Sequence, residues 1–304
     1  MRIAAEALET GRFDGPLARL LASVWAPWAA RGLVRPGRVP RDVPVVGVGG
    51  ATLGGSGKTP LVIACARELA RMHRVAVVGH AYRARPGRAR VVVPGDLLAE
   101  VGDEALVCAA AVPDALVVVA GTRQEAIDHA LGLAPDVLVI DGALRLSDAP
   151  RMLSLLAVDA IAPWGSGQLP PAGDLRAAPG DLRGCADHVV EIGGSIRIRW
   201  SSPPGPRVGL FTALARPDRI RRALAIDLAA VITCPDHGPP PRDLEVRLAA
   251  ADSWVASEKC ALHLRGTSVT PGILHSEVVL PLSVLSALRD LTRETRGFVG
   301  LRRT

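Results

Sequence analysis

Aromatic residues make up only 3% of this chain, and one of them is its single tyrosine. Its core must therefore rest on Val, Leu, Ile and Ala rather than on large rings. Lysine is nearly absent. Lys58 and Lys259 are the two lysines, so arginine supplies almost all of the 36 basic residues. Cysteine is sparse as well. Cys65, Cys108, Cys185, Cys234 and Cys260 are scattered, odd in number and never spaced C-x-x-C. That argues against a disulfide framework and zinc-finger spacing. It fits a reduced, cytosolic setting with cysteine as a small buried apolar residue. No apolar stretch reaches membrane-spanning length. Glu6 and Glu9 interrupt the place where a secretory signal would carry its apolar core. Nor is there an aromatic-interleaved basic patch, which argues against nucleic acid as a partner.

What remains is a globular composition, 49% hydrophobic and 22% charged, in 304 residues. That length suits one large or two modest domains. A net charge of +6 suits an anionic partner such as a nucleotide or a phospholipid surface.

The most informative stretch runs from Val43 to Met72. An apolar run, 43–48, is short enough for a buried strand. A loop with Gly49, Gly50, Gly54, Gly55 and Gly57 follows, and then Lys58 and Thr59. Leu61, Cys65, Leu69 and Met72 recur at helical spacing, so the loop opens a helix. Such a loop binds phosphate. Glycines let the backbone turn its N–H groups toward an anion, and the helix N-terminus and Lys58 add positive charge. Thr59 supplies a hydroxyl where such loops hold Mg²⁺. Thr52 stands where the strict pattern G-x-x-x-x-G-K-[ST] has its first glycine. The candidate nucleotide-binding residues are Thr52, Leu53, Gly54, Gly55, Ser56, Gly57, Lys58 and Thr59.

Downstream, strands are expected at 75–79, 89–93, 115–120, 136–141 and 154–159, with helices at 103–111 and 123–131. Unbroken apolar strands alternating with helices predict an α/β fold, a three-layer α/β/α parallel sheet of the P-loop NTPase type. Asp141 ends the run DVLVID at the carboxyl end of a buried strand. It either helps hold Mg²⁺ beside Thr59 or caps a turn. Asp103, in EVGDE, follows a glycine at an expected helix start. It either caps that helix or accepts a proton from an attacking hydroxyl.

The chain divides into three expected parts: 1–42, 43–193 and a smaller α/β portion, 194–304. In the first, Leu17, Leu20, Leu21, Val24, Trp25 and Trp28 share one helical face, followed by Arg31, Arg35, Arg38 and Arg41. Pro27 is expected to kink or end that helix. The face lies either in an anionic membrane interface or against the domain. Residues 165–184 read as an ordered loop rich in Gly and Pro. In the last part a short strand is expected at 278–281 and a helix at 282–290.

Several stretches together resemble the tetraacyldisaccharide 4′-kinase family, the lipid A kinases. They are Gly49–Pro60, VGDEALV from Val101, DVLVIDGAL from Asp136, LPPAGDLR from Leu169, FTALARPDRI from Phe211, Pro235-Asp-His237 and Ser257-Glu-Lys259. The resemblance implies transfer of the ATP γ-phosphate to the 4′-hydroxyl of a lipid A disaccharide 1-phosphate. It also implies ATP and Mg²⁺ as cofactors, and a peripheral, cytoplasmic location at the inner face of the inner membrane. By position, Lys58 and Thr59 serve nucleotide and metal, and Asp141 belongs to the metal shell. Asp103 is the candidate base and His237 its partner. This chain departs from the family pattern at Gly50, His80, Gly142, Gly238 and Cys260. Two other classes stay open. A degenerate relative would bind nucleotide or lipid without transfer. A P-loop switch ATPase or GTPase would hydrolyse nucleotide with no lipid acceptor.

Overall fold

Short runs of Val, Leu, Ile and Ala supply the strands around which the chain is built. The computed structural model describes residues 8, 13–79, 84, 86–193, 196–214, 220, 221, 224, 226–234, 240–276 and 278–293. It divides into two units: Gly194–Glu277, and Ala7–Gly193 together with Val278–Thr304.

The larger unit contains β1 (Val34–Arg38), β2 (Val45–Gly50), β3 (Val75–Val78), β4 (Arg90–Val91), β5 (Leu116–Val119), β6 (Val137–Asp141), β7 (Arg145–Asp148), β8 (Met152–Asp159) and β9 (His188–Ile192). Seven of these form one sheet in the order β4-β5-β3-β6-β2-β8-β9. Every pairing in it is parallel except β4 with β5, which is antiparallel. An antiparallel edge strand on an otherwise parallel sheet is a common termination. The residues of β2, β3 and β6 are buried on both faces, which is why these strands read as continuous apolar runs rather than as alternation.

Helices cover the sheet. The helix α1 spans Pro16–Arg31, α2 Lys58–Ala70, α3 Asp103–Ala111, α4 Arg123–Gly132, α5 Pro179–Cys185 and α6 Leu282–Arg293. Ala126, Ile127 and Ala130 of α4 pack on Val45, Ala76, Val78, Val118, Leu138 and Ile140, together with Leu146 of β7 and Val39, which follows β1; β1 and β7 pair separately from the main sheet. The α4 start is secured by a capping box, with Thr122 and Glu125 exchanging bonds. Helix α2 lies against β2, β3 and β6. Cys65 and Cys108, on α2 and α3, are buried, and burial pushes both thiols up to about 12, so they act as apolar filler. None of the five cysteines is in a disulfide.

Several sequence expectations change. Residues 179–184, expected to belong to a loop, lie in helix α5. The run 278–281 is not a strand. Val279 is exposed, and Pro281 directly precedes helix α6, its carbonyl accepting from the Leu285 N–H at 3.0 Å. Helix α6 packs on β8 of the larger unit, where Arg151 donates to the Leu291 carbonyl at 2.7 Å. The sequence had placed this segment with the smaller portion. Of the two outcomes expected at Pro27, a kink or an end, the end does not occur, since α1 continues to Arg31.

The smaller unit carries a second sheet of β10 (Ile196–Arg199), β11 (Val208–Thr212), β12 (Ala230–Thr233), β13 (Ser253–Ser257) and β14 (Gly272–Ser276). Their order is β10-β14-β13-β11-β12. Four strands run parallel and β10 is antiparallel to β14. Phe211 and Trp254 centre its core. The indole N–H of Trp254 donates to the Leu248 carbonyl at 2.9 Å, so the ring is buried without a lost hydrogen bond. Cys260 is buried here, its sulfur accepting from the Ala213 N–H at 3.2 Å.

Candidate active site

Strand β2 runs into the glycine loop and α2 begins at Lys58, so the loop lies at the carboxyl end of the parallel strands. That end is where open α/β sheets place their ligands. Two glycines are required by the geometry. Gly57, just before α2, has φ +78°, and a Cβ there would strike Ile192 at the end of β9. At Gly50 a Cβ would strike the Ser56 hydroxyl and come within 2.9 Å of Lys58 Cγ. The Gly50 departure therefore makes room for the Ser56 and Lys58 side chains to fold over the backbone. Thr52 does not need to be glycine because it makes a bridge to Leu175. Its hydroxyl donates to the Gly54 carbonyl at 2.6 Å.

Strand β6 brings Asp141 alongside. It is in register with Val48 of β2, and the Gly142 N–H donates to the Val48 carbonyl at 3.0 Å. Asp141 is buried, and its Oδ1 has no hydrogen-bond partner among the described residues. The Ser56 hydroxyl is in the same condition.

Helix α3 completes the cluster. Gly102 is its N-cap, with φ +85°, so Asp103 is the first helical residue rather than the cap. Asp103 is buried, and its Oδ1 accepts from the Glu104 N–H at 2.8 Å. Thr59 donates from its hydroxyl to Glu104 Oε1 at 3.5 Å. Glu104 thereby joins the site. Sequence reasoning missed its role, since an acid in a first helical turn usually does no more than favour the helix dipole. His237, His80 and Gly238 lie outside the described residues.

Two acids and two basic side chains set the electrostatics of this end of the sheet. Burial, and then the neighbouring Glu104 charge, push the Asp141 carboxyl up to about 7, while Lys58, Arg123 and the Gly142 N–H pull it back down. Arg123 is half-buried. Burial and then the nearby Arg35 hold its guanidinium below the usual range, and Asp141 opposes them. Among the described residues no group of three His, Cys, Asp or Glu side chains could hold a metal unaided. Thr59, Glu104 and Asp141 fit an ion that takes its remaining ligands from phosphates and water, as Mg²⁺ does in kinases. The unpartnered Oδ1 of Asp141 is what such an ion would satisfy.

A pH prediction follows from Asp141. The unfolded chain releases this proton near the ordinary carboxylate value, whereas the folded chain keeps it until about pH 7. Between those values the folded state binds the extra proton, so stability falls as pH rises. Metal-free Asp141→Asn protein should melt a few degrees above the parent at pH 8 and lose that advantage by pH 4. A difference that does not vary with pH would contradict the assignment.

Several known proteins are similar to this chain. Residues 15–203 match the family model described as tetraacyldisaccharide-1-P 4′-kinase. The tetraacyldisaccharide 4′-kinase of Geobacter metallireducens is 31% identical over 285 residues, covering 78% of this chain and 83% of the relative. A tetraacyldisaccharide 4′-kinase of Methylorubrum extorquens is 33% identical over 316 residues, covering 91% of this chain and 92% of the relative. Among solved structures, "apo" form LpxK from Aquifex aeolicus in complex with ATP superposes with a TM-score of 0.62 at 21% identity. That alignment covers 91% of this chain and 96% of that one, and it supports the fold.

Proposed function

The chain belongs to the tetraacyldisaccharide 4′-kinase family, and we propose that it transfers the γ-phosphate of ATP to the 4′-hydroxyl of a tetraacyldisaccharide 1-phosphate. The observation that carries this reading is the meeting of Thr59, Glu104 and Asp141 beside Lys58 at one end of the sheet. Phosphoryl transfer needs positioning and charge neutralisation more than covalent help. Amides of the loop and α2 cradle the phosphates, and Lys58 neutralises the transferred group. Thr59, Glu104 and Asp141 would hold Mg²⁺, which would supply charge screening of the phosphate oxygens. Asp103 accepts the proton of the sugar hydroxyl, with His237 its partner by family resemblance. Cys260, where the family carries an acid, serves the smaller unit's core instead.

The lipid acceptor gives α1 a role. Its apolar face is turned outward: Leu17 is 69% exposed, Trp25 50% and Trp28 56%. The two indoles stack, with centroids 6.4 Å apart. Ala29 and Leu33 meanwhile pack with Ala51, Leu144 and Leu175, which ties the helix to the base of the phosphate loop. Among the described residues no helix is long and apolar enough to cross a membrane. Helix α1 lies in the interface of an anionic leaflet, with Arg31 of its last turn toward the headgroups. The double variant Trp25→Asp/Trp28→Asp should bind anionic vesicles about tenfold or more weakly. Its ATP affinity should stay unchanged. Equal vesicle binding by parent and variant would reject the interfacial role.

The activity itself is tested with labelled ATP, Mg²⁺ and detergent-dispersed tetraacyldisaccharide 1-phosphate. Label should appear on the lipid. Phosphate release that needs no lipid would overturn the assignment.

A further inference from the structure

Four consecutive carbonyls of the phosphate loop are each held by a donor. The Ala51 oxygen accepts from the Arg176 N–H at 2.9 Å. The Thr52 oxygen accepts from Arg176 Nε at 2.8 Å, and the Leu53 oxygen from Arg176 Nη2 at 3.4 Å. The Gly54 oxygen accepts from the Thr52 hydroxyl at 2.6 Å. The Leu53 N–H in turn donates to the Asp174 carbonyl at 2.9 Å. One side chain, 124 positions away in sequence from Thr52, thus governs the loop's entry.

The segment that carries it is itself held. Asp174 is buried, and its carboxylate accepts from both the N–H and the hydroxyl of Ser166 at 2.9 Å. The Leu175 N–H donates to the Gln168 carbonyl at 2.9 Å, and the Leu175 side chain is fully buried. Residues 166–176 form a closed buttress with Arg176 at its tip.

The geometry points to Arg176 as a positioning residue for nucleotide binding, one that acts by keeping the loop's carbonyl oxygens turned away from the phosphates. A peptide presents its N–H and its carbonyl on opposite sides, so a carbonyl that rotates inward both withdraws a donor and sets a negative dipole against the anion. Arginine suits the task because its planar fork reaches two neighbouring oxygens and stays charged. The fork also explains how a loop can lack the early glycine. Thr52 is locked in an extended bridge from outside, so the loop's turn is left to Gly54–Gly57.

This inference rests on the nucleotide-binding reading, and its test separates the two. ATP affinity is measured by equilibrium titration without lipid, and KM for each substrate is measured in the transfer assay. Arg176→Ala should raise the ATP dissociation constant and the KM for ATP about tenfold, the size expected when charged hydrogen bonds are lost. The KM for the lipid and the melting temperature should hardly move. Arg176→Lys, with one ammonium in place of a fork, should fall between. Unchanged ATP affinity in Arg176→Ala, or a parallel loss of both KM values and of melting temperature, would overturn the positioning role. Failure of the parent protein to bind ATP would instead remove the proposed function, and this inference with it.

Discussion

Lys58→Met is expected to lower the transfer rate by roughly a thousandfold, the scale on which removal of one preorganised charge slows reactions of this type. The expectation has two sources. Lys58 opens α2, so its charge adds to the helix dipole at the place where the phosphates would lie. It also counters the acid pair: Lys58 is the first group that draws the Asp141 carboxyl back down. Without it, Asp141 and Glu104 face each other with less compensation, and Asp141 holds its proton to still higher pH. The variant should therefore lose affinity for the metal–nucleotide complex as well as rate. Lys58→Arg should recover little. A broad planar guanidinium does not replace the compact point charge of an ammonium at such a site. Single-turnover transfer from labelled ATP measures the chemical step directly. A Lys58→Met protein with near-parental turnover would contradict this role.

The parts of the site that could be read from sequence are those fixed by local spacing. Lys58 and Thr59 follow a glycine loop between a strand and a helix, and every term of that pattern lies within one short stretch, Val43 to Met72. Asp141 was legible for a similar reason, because an acid ending an apolar run marks a strand's carboxyl end. Glu104 and Arg176 were not legible as site residues. Their roles depend on contacts made across 45 and 124 positions, to Thr59 and Thr52. No local pattern distinguishes such an acid or arginine from a solvated one.

The same division explains the fold. Strands β2, β3, β5, β6 and β8 are continuous apolar runs and were readable as such. Strand β14 was not, because Gly272, His275 and Ser276 dilute its apolar residues. The more apolar run after it, 278–281, has no strand to pair with among the described residues. For α1 the periodicity correctly identified one apolar face, Leu17 through Trp28. Periodicity alone could not say whether that face was covered. Its exposure in the folded chain makes an apolar partner the better account, since a patch of this kind is unusual on a surface that only meets water.

Replacement of Asp103 by asparagine should nearly abolish transfer while leaving ATP binding within about twofold of the parent. General base assistance contributes about 10²- to 10⁴-fold, so a loss near the middle of that range is expected. Asparagine is the informative choice because it preserves what the carboxylate does structurally. Its amide oxygen can still accept from the Glu104 N–H, and its shape fits the same buried space at the start of α3. What it removes is the capacity to take a proton from the sugar hydroxyl, a poor nucleophile until that proton leaves. The residual rate of Asp103→Asn should rise with pH over a range where the parent is flat, as deprotonation by solvent replaces the missing base. If Asp103 and His237 act as a unit, His237→Ala should cost much less in the Asp103→Asn background than in the parent. A variant that instead loses ATP affinity as steeply as rate would show that Asp103 works through the position of Glu104 and the metal shell. The base would then have to be sought elsewhere.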